Sequence, residues 1–263
     1  MSQFTDIGVS TEGHVGIIEI QRPPHNFFDM SLIKQIADAL EAWDKDINIR
    51  AAVLCAQGKS FCAGANFGDG SKLDAKGNRP NENQMGGHLY QEAVRLFRTK
   101  KPIVGAIQGP AIGGGLGLAL VPDFRVAAPE ARFAANFTRL GFHPGFGLTY
   151  TLPALIGKQQ AHLMMYTGRR IKGDEAVKLG LADELAPLDQ VRARAIALAK
   201  EIGESAPLAV QETRATVRKG IADAVKAATD HELVVQSQLR LTEDFKEGVK
   251  AVSERRVANF QGR

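Results

Sequence analysis

Lys101–Leu120 reads KPIVGAIQGPAIGGGLGLAL. Ile103–Ile107 is a short run of apolar and small residues, the pattern of a strand buried on both faces. Gly109 and Pro110 break it. Gly113, Gly114 and Gly115 then open an apolar run, Leu116–Val121, that reads as a buried helix. A strand, a tight turn, three glycines and a helix start together offer an anion site. Glycines let backbone come close to a ligand, and the first-turn N–H groups of a helix lack helical acceptors. The helix dipole adds partial positive charge there, and a developing oxyanion is a natural occupant. A tightly packed strand–helix turn that requires small residues is the plainer alternative.

Upstream, Val15–Ile20 (VGIIEI) and Ala51–Cys55 (AAVLC) read as further buried strands. Arg22, Pro23 and Pro24 stop the first, and His25 and Asn26 follow in a loop. Asp29 then stands where it would cap a helix, because Ile33, Ile36, Leu40 and Trp43 recur at helical spacing. Residues 57–71, QGKSFCAGANFGDGS, form a glycine-rich loop. Residues 69–84 read as a polar surface excursion, and 85–98 as a helix with Leu89, Ala93, Leu96 and Phe97 on one side. Phe124–Ala128 is another strand. Strands alternating with helices predict an α/β fold of parallel units with buried sheets. From Leu188 onward the period is helical, broken near Ser205–Pro207 and at Gly220. The chain thus divides into a core, 1–205, and a helical region, 206–263. The latter is too small to hold a core alone, so it should pack on the first part or on a neighbouring subunit.

The 263 residues are 44% hydrophobic and 24% charged, an ordinary globular composition. A net charge of +4 favours a small anionic ligand. No block of five like charges occurs, and one Trp and three Tyr cannot make the aromatic-plus-basic surface of a single-strand binder, so no nucleic-acid partner is expected. Cys55 and Cys62 lack metal-ligand spacing and fit a reduced, cytoplasmic protein. The start MSQFTDIG is no secretory signal, and no run of 18 apolar residues predicts a membrane span. Gly58-Lys59-Ser60 is not a phosphate loop, since the motif's first glycine would fall at Val53. No dinucleotide fingerprint starts at Gly113, because its last glycine would be Leu118. Zinc and serine-hydrolase motifs are also absent, and no metal is expected.

Several segments in order resemble the crotonase (enoyl-CoA hydratase/isomerase) superfamily. SFCAGANF at 60–67 is similar to its first oxyanion loop, and 101–120 to its second. DFRVAA at 123–128 and Ala131-Arg132-Phe133 match the strand and turn that follow. LGFHPGFGLTYTLPALIG at 140–157 resembles the rim of its active site. TGRRIKGDEAVKLGLADEL at 167–185 and FKEGVKAVSERRVANFQGR at 245–263 also fit. The resemblance implies a spiral of ββα units with a C-terminal helical trimerisation region. It implies an acyl-CoA thioester as substrate, with coenzyme A as part of that substrate and no separate cofactor, and a homo-oligomer, either a trimer or a dimer of trimers. By position, the N–H groups of Ala65 and Gly114 would form the oxyanion hole. Ala63, Gly64, Asn66, Gly113 and Phe137 would meet the substrate.

Two positions depart from the family's hydratases. Where these carry a first catalytic Glu, this chain has Gly117; where they carry a second, it has Phe137. Water addition needs one group to deprotonate water and one to deliver a proton, and Gly and Phe do neither. The GGGLG form is similar to the family's aryl-CoA dehalogenases, whose aspartate nucleophile would sit at Gly145 and whose histidine at Tyr90, so that reading fails. His143, in GFHPG, is a candidate acid or base; the alternative is a turn residue whose ring packs on Pro144 or caps backbone. Tyr90 is a candidate hydrogen-bond partner for an acyl carbonyl, or an ordinary half-buried tyrosine. Asn136 and Thr138 could order a water. Asp69 and Glu82 lie in the polar excursion and reach the site only if it folds over, His88 reads as a solvated residue on the helix that carries Tyr90, and His25 looks like a loop residue. Phe27, Phe28, Phe67, Phe137, Phe142 and Phe146 suggest an apolar acyl pocket or plain core packing. Two functions remain: an acyl-CoA enzyme working through a stabilised enolate with non-standard acid/base residues, or a non-catalytic acyl-CoA carrier or regulator.

Overall fold

Apolar strands buried on both faces need cover on both sides, and the protein supplies it with helices of different kinds. The computed structural model describes residues 4–66 and 89–263. In chain order it runs β1 (Ile7–Glu12), β2 (Val15–Ile20), α1 (Met30–Asp44), β3 (Ala51–Ala56), α2 (Leu89–Phe97), β4 (Ile103–Ile107), β5 (Pro110–Ile112) and α3 (Gly114–Ala119). Next come β6 (Phe124–Ala127), β7 (Arg132–Ala134), a 3₁₀ turn (Asn136–Leu140), α4 (Leu148–Ile156), α5 (Lys158–Thr167), β8 (Ile171–Lys172), α6 (Gly173–Lys178) and β9 (Glu184–Leu185). Four helices close the chain: α7 (Val191–Glu204), α8 (Pro207–Val217), α9 (Ile221–Leu239) and α10 (Glu243–Ser253).

One sheet has the order β1-β2-β3-β4-β6-β9. From β2 onward its pairings are parallel, with Ile17 beside Val53 and Leu54 beside Gly105. Side chains alternate across it. Ile18, Ile20, Leu54 and Ile103 join the large core under α1 and α2. Ile17, Val53, Val104 and Val126 face the other way, onto Val191, Ala195 and Ala199 of α7. The alanines at i and i+4 let that helix approach the sheet closely. α1 begins where expected, with the Leu32 N–H donating to the Asp29 carboxylate at 3.0 Å.

The parallel expectation needs correcting in two places. β1 pairs antiparallel with β2, because the two residues Gly13 and His14 join them as a hairpin. β8 pairs antiparallel with β7 in a second sheet of order β5-β7-β8. That smaller sheet, with β5 parallel to β7, stands directly beyond the break at Gly109 and carries the glycine-rich turn. The closing helices lie on the rest of the molecule. Val225 of α9 is fully buried in the large core, with Phe245 and Val249 of α10 packed against it. Asp123 pairs with Arg214 at 2.9 Å and Arg218 at 2.8 Å, tying the end of α8 to β4 and β6. The Asp123 carboxylate also accepts the Ile103 N–H at 2.8 Å.

Candidate functional site

Backbone zips the two glycine-rich loops together. Cys62 bridges Ala111 in parallel register: its N–H donates to Pro110 O, and its carbonyl accepts the Ile112 N–H, each at 3.0 Å. No side chain fits between the strands of this zipper. A Cβ on Gly115 would lie 2.0 Å from Cys62 O, and one on Gly64, whose φ is +82°, would lie 2.7 Å from Ile112 O. Gly113, also at positive φ, donates its N–H to Ala134 O at 2.8 Å. The Phe28 N–H donates to Gly64 O, and its ring reaches Gly114 so closely that a Cβ there would lie 2.3 Å from the ring edge. Ala65 and Gly114, one from each loop, both line the same cavity. Among the described residues, neither of their N–H groups has a backbone acceptor.

The cavity has a volume of about 780 Å³. Ala63, Gly64, Ala65, Asn66, Tyr90, Gly113, Gly114 and Phe137 all line it, as do Phe27, Phe28, Phe142 and Phe146. His143 is not among the described lining residues: its Nδ1 lies 2.8 Å from Pro144 O and its ring stands edge-on to His231. Asn136 lines the cavity, whereas the Thr138 hydroxyl donates to Met165 O at 2.9 Å. His25 lines it from an exposed rim position. Phe67, Asp69, Glu82 and His88 lie outside the described residues. Asp29 is the one carboxylate among the described lining residues, and it is committed to the start of α1 and to Arg22, 2.8 Å away.

Aromatic rings pack at both positions where the family resemblance implies acids. A Cβ on Gly117 would lie 2.7 Å from Phe146. Phe146 holds φ at +65°, is 1% exposed, and packs on Phe28 with 5.7 Å between ring centroids. Phe137 meets Phe142 edge-on at 5.5 Å. Next to Phe146, Gly145 leaves room for Tyr90: a Cβ there would sit 1.8 Å from the phenol oxygen. That hydroxyl donates to Gln236 Oε1 at 2.7 Å and accepts the Phe146 N–H. Burial, reinforced by the nearby Glu232 carboxylate, pushes the Tyr90 phenol well above its ordinary range, so it stays protonated. Gln236 in turn donates to His143 O at 2.8 Å. The Cys62 thiol is pushed up to about 12 by burial, so it is a packed group rather than a nucleophile.

Gln236 of α9 and Arg240, which caps the C-terminal end of that helix, line the cavity, as does Arg170 from the segment before β8. Their only sequence signal is the i, i+4 spacing of Gln236 and Arg240, which an ordinary solvated helix face would also show. Glu232, one turn earlier, accepts from the Gly147 N–H (2.7 Å), the Thr149 N–H (3.0 Å) and the Thr149 hydroxyl (2.6 Å). It thereby caps α4 from a distant part of the chain. Among the described residues, no cluster of His, Cys, Asp or Glu could hold a metal ion, and no helix is long and apolar enough to cross a membrane.

Comparison with known proteins agrees with this architecture. The family model described as enoyl-CoA hydratase/isomerase matches residues 10–263. The chain is 32% identical over 260 residues to the crotonyl-CoA hydratase of Syntrophomonas wolfei, covering 98% of each protein. It is 30% identical over 261 residues to the 2,3-dehydroadipyl-CoA hydratase of Escherichia coli, covering 99% of this chain and 100% of that one. The crystal structure of an enoyl-CoA hydratase/isomerase from Pseudoalteromonas atlantica superposes with a TM-score of 0.85 at 29% identity, over 98% of this chain and 100% of the other. The fold is crotonase-like, and the chain belongs to the enoyl-CoA hydratase/isomerase family.

Proposed function

We propose that this protein is an acyl-CoA enzyme that stabilises a thioester enolate between the N–H groups of Ala65 and Gly114. The observation that carries the reading is the zipped pair of loops, which brings to one cavity two amides that have no backbone acceptor among the described residues, with several aromatic rings lining the same cavity. Fixed donors in a site of this kind strengthen as charge develops on the thioester oxygen. Ala63, Gly64, Asn66, Gly113 and Phe137 shape the surroundings of the substrate. Tyr90 is a positioning residue, since its proton is held by Gln236 and its oxygen by Phe146. Ordinary hydration by two glutamates is not the reaction proposed, because Phe146 occupies the space beside Gly117 and position 137 is itself aromatic. The same observation favours a second reading, a carrier or regulator that binds acyl-CoA without turning it over. We further propose association into a trimer or a dimer of trimers.

Incubating the protein in D2O with saturated, enoyl and β-keto acyl-CoAs separates the two readings. Deuterium at the α-carbon, or product, read by mass spectrometry, supports the enzyme. Tight binding without exchange supports the carrier. Absence of binding removes both. The oxyanion assignment has its own test. Phe28→Ala first makes room for a side chain at position 114. In that background Gly114→Pro deletes the N–H at the first residue of α3, where proline suits the backbone, while Gly114→Ala keeps it. The proline variant is expected to be slower by about 100- to 1,000-fold in kcat than the alanine variant, with similar melting temperatures. Equal rates would remove the Gly114 amide from the mechanism.

A further inference from the structure

Asn136 opens the 3₁₀ turn that follows β7, a place where an asparagine usually bonds the local backbone. Here no side chain caps the turn, and among the described residues the Asn136 amide has no hydrogen-bond partner. The side chain is half-buried and lines the cavity. It stands against the second glycine loop: Asn136 Oδ1 lies 3.3 Å from where a Cβ on Gly113 would be. The Gly113 N–H, donated to Ala134 O at 2.8 Å, ties that loop to the strand end that leads into Asn136. Gly114, whose amide is proposed to hold the thioester oxygen, is the next residue along. A primary amide, with two N–H donors and a carbonyl acceptor, is thus held close to the proposed oxyanion hole. The neutral polar groups around it are committed. The Thr138 hydroxyl donates to Met165 O at 2.9 Å, and Gln236 is engaged with Tyr90 and His143 O. The only carboxylate among the described lining residues, Asp29, is held by Arg22 and α1. Such a wall suits a substrate whose α-proton is acidic in its own right. A proton between two carbonyls is far more acidic than one beside a thioester alone, because two oxygens share the charge left behind.

We propose that Asn136 is a specificity-determining residue and that the cavity takes acyl-CoA esters with a carbonyl at the β-carbon. The thioester oxygen lies on the Ala65 and Gly114 amides, and the β-carbonyl oxygen accepts a hydrogen bond from the Asn136 amide. When the α-carbon releases its proton to solvent, the electron pair of that C–H bond spreads over both oxygens, and each has a donor of its own. The Asn136 hydrogen bond gains from this, since a bond to an ionised acceptor is about twice as strong as a neutral one. The proposal rests on the acyl-CoA reading of this site. It adds a requirement to that reading: a second oxygen on the acyl chain, met by a side chain.

Calorimetric titration of the whole protein with matched pairs tests it: acetoacetyl- against butyryl-CoA, and 3-oxohexanoyl- against hexanoyl-CoA. In each pair the 3-oxo ester is expected to bind about 10- to 100-fold more tightly. Asn136→Leu keeps the size and removes the donors, and should cut that preference about tenfold. Asn136→Asp keeps the shape as well but sets a negative charge against the enolate, and should lower the preference further. If Asn136→Leu melts well below the native protein, the Asp variant decides. The ultraviolet absorbance of the bound enolate gives a second readout. The pH at which bound acetoacetyl-CoA ionises should rise by about one unit in Asn136→Leu, a change that a merely structural residue would not produce. If all esters bind and neither pair shows a preference, the proposal is overturned while the acyl-CoA reading stands. A preference that survives both variants belongs to the backbone amides alone and also overturns it. If the variants weaken both members of a pair equally, Asn136 serves the CoA moiety or the fold, and the proposal again falls. If no ester binds, the underlying acyl-CoA reading fails, and the proposal fails with it.

Discussion

Gly117 illustrates how a residue takes its meaning from its neighbour. Taken alone, a glycine in a six-residue helix suggests a need for closeness, and here the close partner is the Phe146 side chain, 2.7 Å from where a Cβ would stand. Phe146 is itself in an unusual state, with a positive φ that side chains other than glycine's seldom adopt. The two residues form one packing unit, and their substitutions should not add. Gly117→Ala is expected to cost about 1–3 kcal/mol in the native background through overpacking, and much less once Phe146→Ala has emptied the space. Denaturant unfolding of the four members of this cycle measures the coupling, expected at about 1 kcal/mol or more. An equal cost in both backgrounds would mean that the ring moves aside freely. By the same reasoning, Gly117→Glu alone would not install a carboxylate in the cavity. The sequence shows that positions 117 and 137 lack acids. It does not show that Phe146 fills the space, because that depends on a backbone turn set by the packing of Tyr90 and Gln236 around Gly145.

At the scale of elements, legibility follows the source of the signal. α1, β2, β3, β4 and β6 are readable because apolar spacing and a capping aspartate act locally. β1 is hard to read because most of its residues are exposed and it gains order only by pairing with β2. β7, β8 and β9 span two or three residues each, and a pattern that short carries no period. The loop walls of the cavity are legible as glycines and small residues, whereas the wall from α9 is not, since polar residues on a long helix resemble a solvated face. Glu232 is the clearest case: a fully buried carboxylate that joins α9 to the start of α4. Burial raises its pKa above the ordinary 4.5, against the hydrogen bonds from Thr149 and Gly147 and the attraction of His143. The folded protein therefore holds this proton at a pH where the unfolded chain has released it. Its contribution to stability is fully present below the unfolded value and is lost as pH rises through the folded one. The stability difference between the native protein and Glu232→Gln, which does not titrate, should accordingly shrink as pH rises above about 4.5. Urea unfolding at pH 4.5 and pH 7.5 checks it. A difference that grows with pH would show that the hydrogen bonds outweigh burial and hold the pKa down.

At the scale of the whole molecule, the closing helices have two faces with different chemistry. The inner face is specific: Arg214 and Arg218 meet Asp123, Glu232 caps α4, and Gln236 anchors Tyr90. The outer surface leaves Leu208, Val217, Val234 and Leu241 largely exposed on one chain. Single exposed apolar side chains are normal on a protein surface. Four of them on the region that the family resemblance assigns to assembly are instead what a homo-oligomer would cover. A stable interface removes about 800 Å² of surface from each partner, an area that helices of this length can supply. Light scattering after size exclusion should therefore report three or six times the chain mass of 28.4 kDa. Leu208→Glu combined with Leu241→Glu should lower that mass if these side chains are covered, because burying unpaired carboxylates in an interface is unfavourable. A native protein that elutes at 28.4 kDa across micromolar concentrations would overturn the oligomer proposal. It would also make the cavity, including its α9 and α10 walls, the property of one chain alone.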